Sequence, residues 1–193
     1  MNRRQMLKLG LSSAATSMIV PALPGLLSSA SAQALVPAFG TRRSIENSVY
    51  YNGNVFSFLA DSRATSGSYA MYEVTIRQGL EPPPHTHTRE DEIFLILEGE
   101  ATFKSGNVTD EGKPGDHIFQ PRNELHSFKI KTPTLHAIIM VTPGGLEKAF
   151  QARGKPVTSL ELPPVPAPPT PEQIAATFKF FADNYGVIYA PRQ

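Results

Sequence analysis

The residue types with the clearest chemistry in this chain are two histidines one residue apart, His85 and His87. Residues two apart on a β-strand project from the same face, about 7 Å apart along the backbone, so both imidazoles can share one ion. Glu92 follows five residues after His87, and an uninterrupted strand would place it on the opposite face. A turn or bulge around residues 89–91 is therefore required if Glu92 is to join the two histidines.

The residues around these side chains predict a pocket. If Glu92 points inward, Phe94 and Ile96 also point inward on the same strand and form an apolar wall. A third histidine, His126, belongs to another predicted strand, and Phe128 is a further candidate for the pocket wall. Since the chain contains no cysteine, any metal must be held by histidine, aspartate or glutamate.

Other polar residues in the same region have simpler interpretations. Gln120 either lines the pocket as a hydrogen-bond donor behind the ligands or is a polar residue of the sheet surface. Glu90 and Asp91 are most simply part of a solvated turn. His117 and His136 are interpreted as structural or surface histidines.

Length and composition are those of one folded domain. The chain has 193 residues, of which 40% are hydrophobic and 18% charged, so it can bury a core. Its formal net charge is +1, with 18 lysines and arginines against 17 acidic residues, and it has no run of five basic residues. This balance argues against a nucleic-acid partner, and the absence of cysteine excludes disulfides and thiolate chemistry.

Residues 1–34 have the features of a secretory signal: a basic start, an uncharged run and the small residues Ser31-Ala32-Gln33-Ala34. The pair Arg3-Arg4 resembles the twin-arginine export signal, with cleavage expected after Ala34. The protein is therefore predicted to be periplasmic or secreted, with no stable membrane span once the signal is removed. Retention of this segment as an uncleaved anchor is the alternative.

Short segments rich in Val, Ile, Phe, Tyr and Thr, separated by turn residues, predict an all-β domain. The expected strands lie at residues 50–59, 69–77, 92–98, 117–121, 127–131 and 135–141, with a short helix at 144–150. This pattern divides the chain into an N-terminal arm at 35–48, a β-barrel at 49–150, a proline-rich connector at 151–171 and a C-terminal helix and tail at 172–193.

The C-terminal region predicts one substantial helix. Thr170 and Gln173 have the spacing of a capping box, and Pro171 suits the first helical turn. Apolar residues then recur at helical spacing: Ile174, Phe178, Phe181 and Tyr185. We expect this apolar face to close one end of the barrel; a substrate lid or a dimer arm is the alternative.

Two sequence blocks resemble the two motifs of the cupin superfamily. The first, at residues 79–99, has glycine, five residues, His-x-His, four residues, glutamate, six residues and glycine. The second begins at Gly115 and continues with five residues, Pro121 and a histidine five residues further on. It departs from the pattern at Asn123, where a turn glycine is usual, and at Ile130, where an asparagine is usual. Asparagine tolerates a left-handed backbone, so the first change is mild.

This resemblance implies a fold and a ligand set. The fold is an all-β cupin (jelly-roll) β-barrel, with its strands over roughly residues 49–141, followed by a short C-terminal α-helix. The implied metal ligands are His85, His87, Glu92 and His126, which suit one divalent transition metal, namely Fe, Mn, Ni, Co, Cu or Zn. The resemblance also implies a homodimer.

Within the superfamily, the single barrel, the ligand set and the C-terminal helix are similar to the single-domain quercetin-dioxygenase-like cupins. That similarity implies an exported metal-dependent dioxygenase that cleaves the ring of a small-molecule substrate, a flavonol or a related enol-bearing aromatic, with O₂. Glu92 would then be catalytic, accepting the proton of the substrate hydroxyl. The alternatives are an O₂-independent isomerase, cyclase or decarboxylase acting on a small hydroxy or keto acid, and a non-catalytic metal-binding or ligand-binding protein.

Overall fold

The computed structural model describes residues 36–190, which form two antiparallel β-sheets and two α-helices. The seven-stranded sheet contains, in spatial order, β11 (Lys155–Pro156), β1 (Ser48–Tyr51), β2 (Asn54–Ala60), β3 (Ala70–Arg77), β10 (Thr134–Thr142), β5 (Asp91–Glu98) and β8 (His117–Gln120). The five-stranded sheet contains β12 (Val187–Tyr189), β4 (His85–His87), β9 (His126–Ile130), β6 (Ala101–Ser105) and β7 (Val108–Gly112). The predicted all-β jelly roll is confirmed, although the sheets remain separate and do not close into a barrel.

The core lies between the two sheets, because alternate residues of the facing strands are buried. Phe94 of β5 is fully buried, and its ring centroid lies 5.1 Å from that of Phe103 and 5.4 Å from that of Phe128 in the other sheet. Glu92, Phe94 and Ile96 all face this interior, while the residues between them are more exposed. The residues of β5 that face the interior are therefore the ones that the sequence predicts.

The single strand predicted at residues 50–59 is in fact two strands, β1 and β2, joined by a tight turn. Asn52 and Gly53 form the turn with φ values of 49° and 76°, in the left-handed region that asparagine and glycine tolerate best. Asn-Gly between two β-forming runs is a strong signal for a hairpin. The prediction of one strand is wrong because it weighed the β-propensity of the flanking residues above this turn signal.

The sequence-based strands also omit the hairpin formed by β6 and β7. Ala101 and Phe103 of β6 are buried and alternate with more exposed residues. In β7, the edge strand of its sheet, only Gly112 is buried. An edge strand whose side chains are mostly exposed lacks the apolar alternation by which strands are recognised, which explains the omission of β7 but not that of β6.

Two helices follow the last long strand. Helix α1 (Glu147–Arg153) begins three residues later than the expected helix at 144–150. Helix α2 (Pro171–Tyr185) has the predicted capping box between Thr170 and Gln173, and Gly186 ends it with a left-handed φ of 69°. The buried residue of α2 is Phe181, which belongs to the core between the sheets. The apolar face of α2 therefore packs against the domain.

Side chains of the seven-stranded sheet and of the segment before it hold the connector between α1 and α2 in place. Arg43 donates a hydrogen bond to the carbonyl of Leu160 at 2.7 Å, and Arg77 donates one to the carbonyl of Pro163 at 2.6 Å. The hydroxyl of Tyr50 donates to the carbonyl of Ser159 at 2.9 Å. Because prolines restrict their own backbone, these few bonds are enough to fix the path of the segment.

Within residues 36–190, no helix is long and apolar enough to cross a membrane. The export signal predicted at residues 1–34 lies outside the described residues.

Candidate metal centre

Four side chains from three strands converge between the sheets. His85 and His87 come from β4, and His126 of β9 lies directly opposite His85 in antiparallel register. Glu92 comes from β5 in the other sheet. One ligating atom from each residue lies within 4.8 Å of all the others, and all four residues are buried. The structure thus brings together the four side chains singled out in the sequence, and their cluster could hold one metal ion.

The break that the spacing requires between His87 and Glu92 is present. Strand β4 ends at His87 and β5 begins at Asp91, so residues 88–90 lie outside both strands. The backbone N–H and the hydroxyl of Thr88 both donate to the carbonyl of Gly186 at 2.9 Å. Because the chain passes from one sheet to the other here, Glu92 faces the histidines across the interior.

Asn123, in the loop between β8 and β9, is hydrogen-bonded to β4, the strand that carries His85 and His87. Its φ is 64°, the left-handed conformation expected where a glycine is usual. Its backbone N–H donates to the carbonyl of His87 at 2.7 Å. The asparagine therefore keeps the turn and ties the loop before His126 to β4.

Backbone carbonyls orient two of the imidazoles. Nδ1 of His85 lies 2.8 Å from the carbonyl oxygen of Pro83, and Nδ1 of His126 lies 3.1 Å from that of Glu124. Since a carbonyl can only accept, Nδ1 carries the proton in each ring and Nε2 keeps a free lone pair. Nε2 of His85 lies 3.0 Å from Nε2 of His87, so these two nitrogens point at the same position.

The surroundings keep His85 and His126 neutral. Burial, followed by the charges that His87 and His126 would carry, lowers the pKa of His85 to about 3. Burial and then His87 lower the pKa of His126 to about 4. A neutral imidazole offers the lone pair that a metal needs, and Nε2 of His126 is buried with no hydrogen-bond partner among the described residues. Three imidazoles and one carboxylate therefore fit a divalent transition metal.

Glu90 lies beside the cluster, and its interpretation as part of a solvated turn is wrong. The residue is only 4% exposed, and its Oε2 lies 3.8 Å from Nδ1 of His87. Burial lowers the pKa of His87, but the carboxylates of Glu90 and Glu92 outweigh burial, and the pKa is raised. The carboxylate of Glu90 thus lies near Nδ1 of His87, on the side of the ring where His85 and His126 each have a backbone carbonyl. No local signal reveals this, because its burial depends on packing against distant segments.

Asp91, the other residue assigned to the solvated turn, has a structural role. Its carboxylate accepts hydrogen bonds from Nε and Nη2 of Arg122 at 3.1 and 2.7 Å. The side-chain hydrogen bond from Arg122 lowers the pKa of Asp91 to about 2. This pair ties the start of β5 to the loop that follows β8.

The cluster forms part of the wall of a cavity of about 660 Å³. The predicted pocket residues Phe94 and Phe128 line this cavity together with His85, His87 and Glu92. Aromatic side chains from β1, β2, both helices and β12 form much of the remaining wall: Tyr50, Tyr51, Phe56, Phe150, Phe178, Phe181 and Tyr189. A cavity of this size and lining suits a small aromatic molecule of several rings.

The other two predicted pocket residues lie outside this lining. Ile96 is 1% exposed and belongs to the core between the sheets. Gln120 lies directly opposite Glu92 in the register of β5 and β8, and it is also 1% exposed. It lines a second cavity of about 350 Å³, and neither atom of its amide has a hydrogen-bond partner among the described residues. Gln120 is therefore not a surface residue of the sheet.

Tyr189 is a pocket residue that the sequence does not indicate. Strand β12 pairs with β4 so that Tyr189 lies opposite His85, and the two ring centroids are 5.5 Å apart. Burial raises the pKa of Tyr189 well above its usual range, so its hydroxyl stays protonated. The residue follows the predicted helix by only a few positions, and nothing in its local sequence signals that it returns to the histidine strand.

The remaining two histidines lie apart from the cluster. His117 is exposed on β8. Nε2 of His136 lies 2.7 Å from a carboxylate oxygen of Glu73, across the paired strands β10 and β3. Both placements agree with the prediction of surface or structural histidines.

The sequence of the strands that bear this cluster matches a known family. Residues 72–143 match the cupin domain family. The matched segment spans less than half of the chain. It includes the four clustered residues and strands β4 to β10, whereas the connector, α2 and β12 lie beyond it.

Part of the chain has a distant relative among known proteins. The quercetin 2,3-dioxygenase of Bacillus subtilis (strain 168) is 26% identical over 98 residues, which are 51% of this chain and 29% of that protein. The match therefore spans less than a third of the length of the relative.

Several solved structures resemble part of the chain. KdgF from Halomonas sp. is 19% identical, with a TM-score of 0.45, covering 51% of this chain and 87% of its own. A predicted oxalate decarboxylase from Thermotoga maritima is 23% identical, with a TM-score of 0.44, covering 47% and 80%. The nucleoside dehydratase Pac13 from Streptomyces is 14% identical, with a TM-score of 0.46, covering 64% and 95%.

Proposed function

We propose that the protein is a metal-dependent dioxygenase that cleaves the ring of a flavonol or a related enol-bearing aromatic with O₂. The observation that carries this proposal is the cluster of three histidines and Glu92 in the wall of an aromatic cavity. The distant similarity to a quercetin 2,3-dioxygenase supports the same reaction class. In this reaction O₂ is the oxidant, and both of its atoms enter the product.

The residues of the cluster have separate tasks. His85, His87 and His126 would hold the metal, and backbone carbonyl oxygens accept from Nδ1 of two of them, His85 and His126. When bound, the metal supplies Lewis acidity that lowers the pKa of a substrate hydroxyl. Glu92 holds the metal and accepts the hydroxyl proton on its carboxylate. Burial raises the pKa of Glu92, which makes it a stronger base than an exposed glutamate.

The cavity walls orient the substrate. Phe94 and Phe128 come from opposite sheets, with ring centroids 5.4 Å apart, and both line the cavity that contains the cluster. Flat aromatic surfaces of this kind favour a flat aromatic ligand and exclude water around it. Exclusion of water strengthens the electrostatic interactions of Glu92 with the reacting hydroxyl.

Oxygen uptake tests the proposed activity directly. Protein lacking residues 1–34 is loaded separately with Fe(II), Mn(II), Co(II), Ni(II) or Cu(II), and O₂ consumption is recorded when quercetin is added. We expect at least one metal to support uptake together with loss of the flavonol. The matched control is the His126→Gln variant, which lacks one ligand and should be inactive. Absence of uptake by fully metallated protein would show that the flavonol assignment is wrong.

A Glu92→Gln substitution tests the role of this residue as a base. Glutamine keeps an oxygen that can approach the metal but cannot accept a proton in the same way. We expect the variant to retain metal while its turnover falls by about 10²- to 10⁴-fold. Metal content is measured alongside O₂ uptake, with His126→Gln as the variant that loses the ligand itself. A variant with bound metal and full turnover would contradict the base role.

We also propose that the protein is exported through the twin-arginine route. The support is the Arg3-Arg4 pair followed by an uncharged run and the small residues ending at Ala34. Expression of the full chain should yield a periplasmic form whose N-terminal residue is Leu35, and an Arg3→Lys, Arg4→Lys variant should accumulate uncleaved in the cytoplasm. A periplasmic form that retains residue 1 would show that the segment is an anchor.

A further inference from the structure

Two cationic side chains line the cavity that contains the ligand cluster. Arg153 ends α1, and Lys155 follows in β11, opposite Tyr50 of β1. Both line the cavity and both are exposed, so they lie where it opens to solvent. Among residues 36–190, neither one forms an ion pair with a carboxylate, in contrast to Arg63 and Arg122. Their positive charge is therefore uncompensated within the described structure.

Contacts with α2 hold the guanidinium of Arg153. Its Nη2 donates to the hydroxyl of Thr177 at 3.1 Å, and its guanidinium carbon lies 4.9 Å from the centre of the Phe180 ring. A guanidinium has five N–H donors, and the hydrogen bond to Thr177 uses one of them. The remaining donors are available to an anionic ligand, and the ordering of the side chain lowers the entropic cost of binding.

The two carboxylates that line the cavity are engaged with groups other than Arg153 and Lys155. The carboxylates that line the cavity belong to Glu81 and Glu92. Oε1 of Glu81 accepts a hydrogen bond from the backbone N–H of Ile130 at 2.7 Å, and Glu92 is part of the ligand cluster. The entrance formed by α1 and β11 therefore presents positive charge to an incoming molecule.

A row of aromatic rings connects this entrance to the cluster. The ring centroid of Tyr51 lies 6.4 Å from that of Phe181, which lies 6.1 Å from that of Tyr189. Tyr189 in turn lies 5.5 Å from the ring of His85. The ring centroid of Tyr51 also lies 5.4 Å from that of Phe150, which precedes Arg153 by three residues in α1. The cavity is therefore cationic at one end, aromatic along its length and bounded by metal-binding residues at the other end.

We infer that the substrates are aromatic compounds with an anionic group, such as a carboxylate, at the end remote from the hydroxyl that reacts. Arg153 binds that anionic group and so determines specificity, with Lys155 adding charge beside it. This inference rests on the proposed function only in placing the reacting hydroxyl at the ligand cluster. It concerns binding, so it holds or fails independently of O₂ consumption.

Binding of a matched pair of probes tests the inference. The probes are 3-hydroxyflavone and its derivative with a carboxylate at the para position of the phenyl ring. Each is titrated by its fluorescence into Zn(II)-loaded protein under argon, where no turnover occurs. Since a hydrogen bond to a charged group contributes more than a neutral one, we expect the carboxylate to tighten binding by about tenfold at low salt, and this advantage should shrink as salt is added.

Substitutions in α1 test whether Arg153 is responsible for the tighter binding of the carboxylate probe. In Arg153→Met, the affinity for the carboxylate probe should fall by about tenfold while that for 3-hydroxyflavone stays unchanged. Lys148→Met is the matched control, because Lys148 is an exposed residue of the same helix outside the cavity lining. Equal binding of the two probes to the wild type, no binding of either, or an equal loss of both in Arg153→Met would overturn the inference. A preference for the carboxylate without any O₂ uptake would refute the dioxygenase proposal alone.

Discussion

At the scale of single residues, the ring nitrogens that face away from the cluster determine how each histidine is oriented. Carbonyl oxygens of Pro83 and Glu124 accept from His85 and His126. For His87 the nearby acceptor is the buried carboxylate of Glu90, at 3.8 Å. A carboxylate behind a ligating imidazole increases the basicity of the ring and fixes its orientation. The two atoms do not form a hydrogen bond at this distance, but we expect the carboxylate of Glu90 to position the ring of His87.

A Glu90→Gln substitution should weaken metal binding. Removal of the charge beside His87 should raise the Kd for Zn(II) by about 10- to 100-fold, and Glu90→Ala should have a larger effect because no acceptor remains. Competition with a chromophoric chelator measures this affinity without any substrate. Glu100→Gln, an exposed residue of the following turn, is the control and should bind as the wild type does. Unchanged affinity in both Glu90 variants would exclude a positioning role.

At the scale of elements, the C-terminal segment completes the pocket. Phe181 of α2 is 2% exposed, with its ring centroid 5.9 Å from that of Phe150 and 6.1 Å from that of Tyr189. Strand β12 extends the five-stranded sheet alongside β4, which carries two of the clustered histidines. The packing of α2 therefore holds both the aromatic wall and the edge of the histidine strand.

A Phe181→Ala substitution should destabilise the whole domain. Loss of a fully buried phenylalanine leaves a void among its aromatic neighbours and should lower the free energy of unfolding by about 3–5 kcal/mol. Urea denaturation followed by circular dichroism measures this change. Ile188→Ala, at a residue that is 49% exposed, is the control and should have little effect. If Phe181→Ala cost no more than this control, α2 would not be an integral part of the fold.

At the scale of the whole molecule, the buried imidazoles make the metal-free protein sensitive to acid. The pKa values of His85 and His126 are lowered to about 3 and about 4, whereas the unfolded chain has ordinary histidines near 6.5. As the pH falls below 6.5, these histidines bind protons in the unfolded state but not in the folded state. The free energy of unfolding therefore decreases. The raised pKa values of His87 and Glu92 act in the opposite direction, but the large shifts are those of His85 and His126.

Denaturation of the metal-free protein between pH 7 and pH 4 measures this effect. The free energy of unfolding should fall towards pH 4, with a contribution on the order of 3 kcal/mol from His85 alone. His85→Gln should flatten the dependence because glutamine does not titrate, whereas His117→Gln, at an exposed position, should leave it unchanged. An equal pH dependence in His85→Gln and the wild type would show that the imidazole of His85 does not remain neutral in the folded state.

The sequence by itself determined what depends on local chemistry. Two-residue alternation sets which side of β5 is buried, and turn residues mark most strand ends. The capping box starts α2, as the spacing of Thr170 and Gln173 predicts. The resemblance of two sequence blocks to the cupin motifs implied the set His85, His87, Glu92 and His126, whose ligating atoms the fold does bring within 4.8 Å of one another.

The tertiary structure alone decided which distant segments meet. Glu90 is buried against His87, Tyr189 lies opposite His85, and Arg153 lines the same cavity from α1. Nothing in the residues adjacent to these three indicates such contacts, since they arise where strands and helices far apart in sequence pack together. Local patterns specify period and turns, whereas burial and pairing between remote segments depend on the free energy of the whole packed chain.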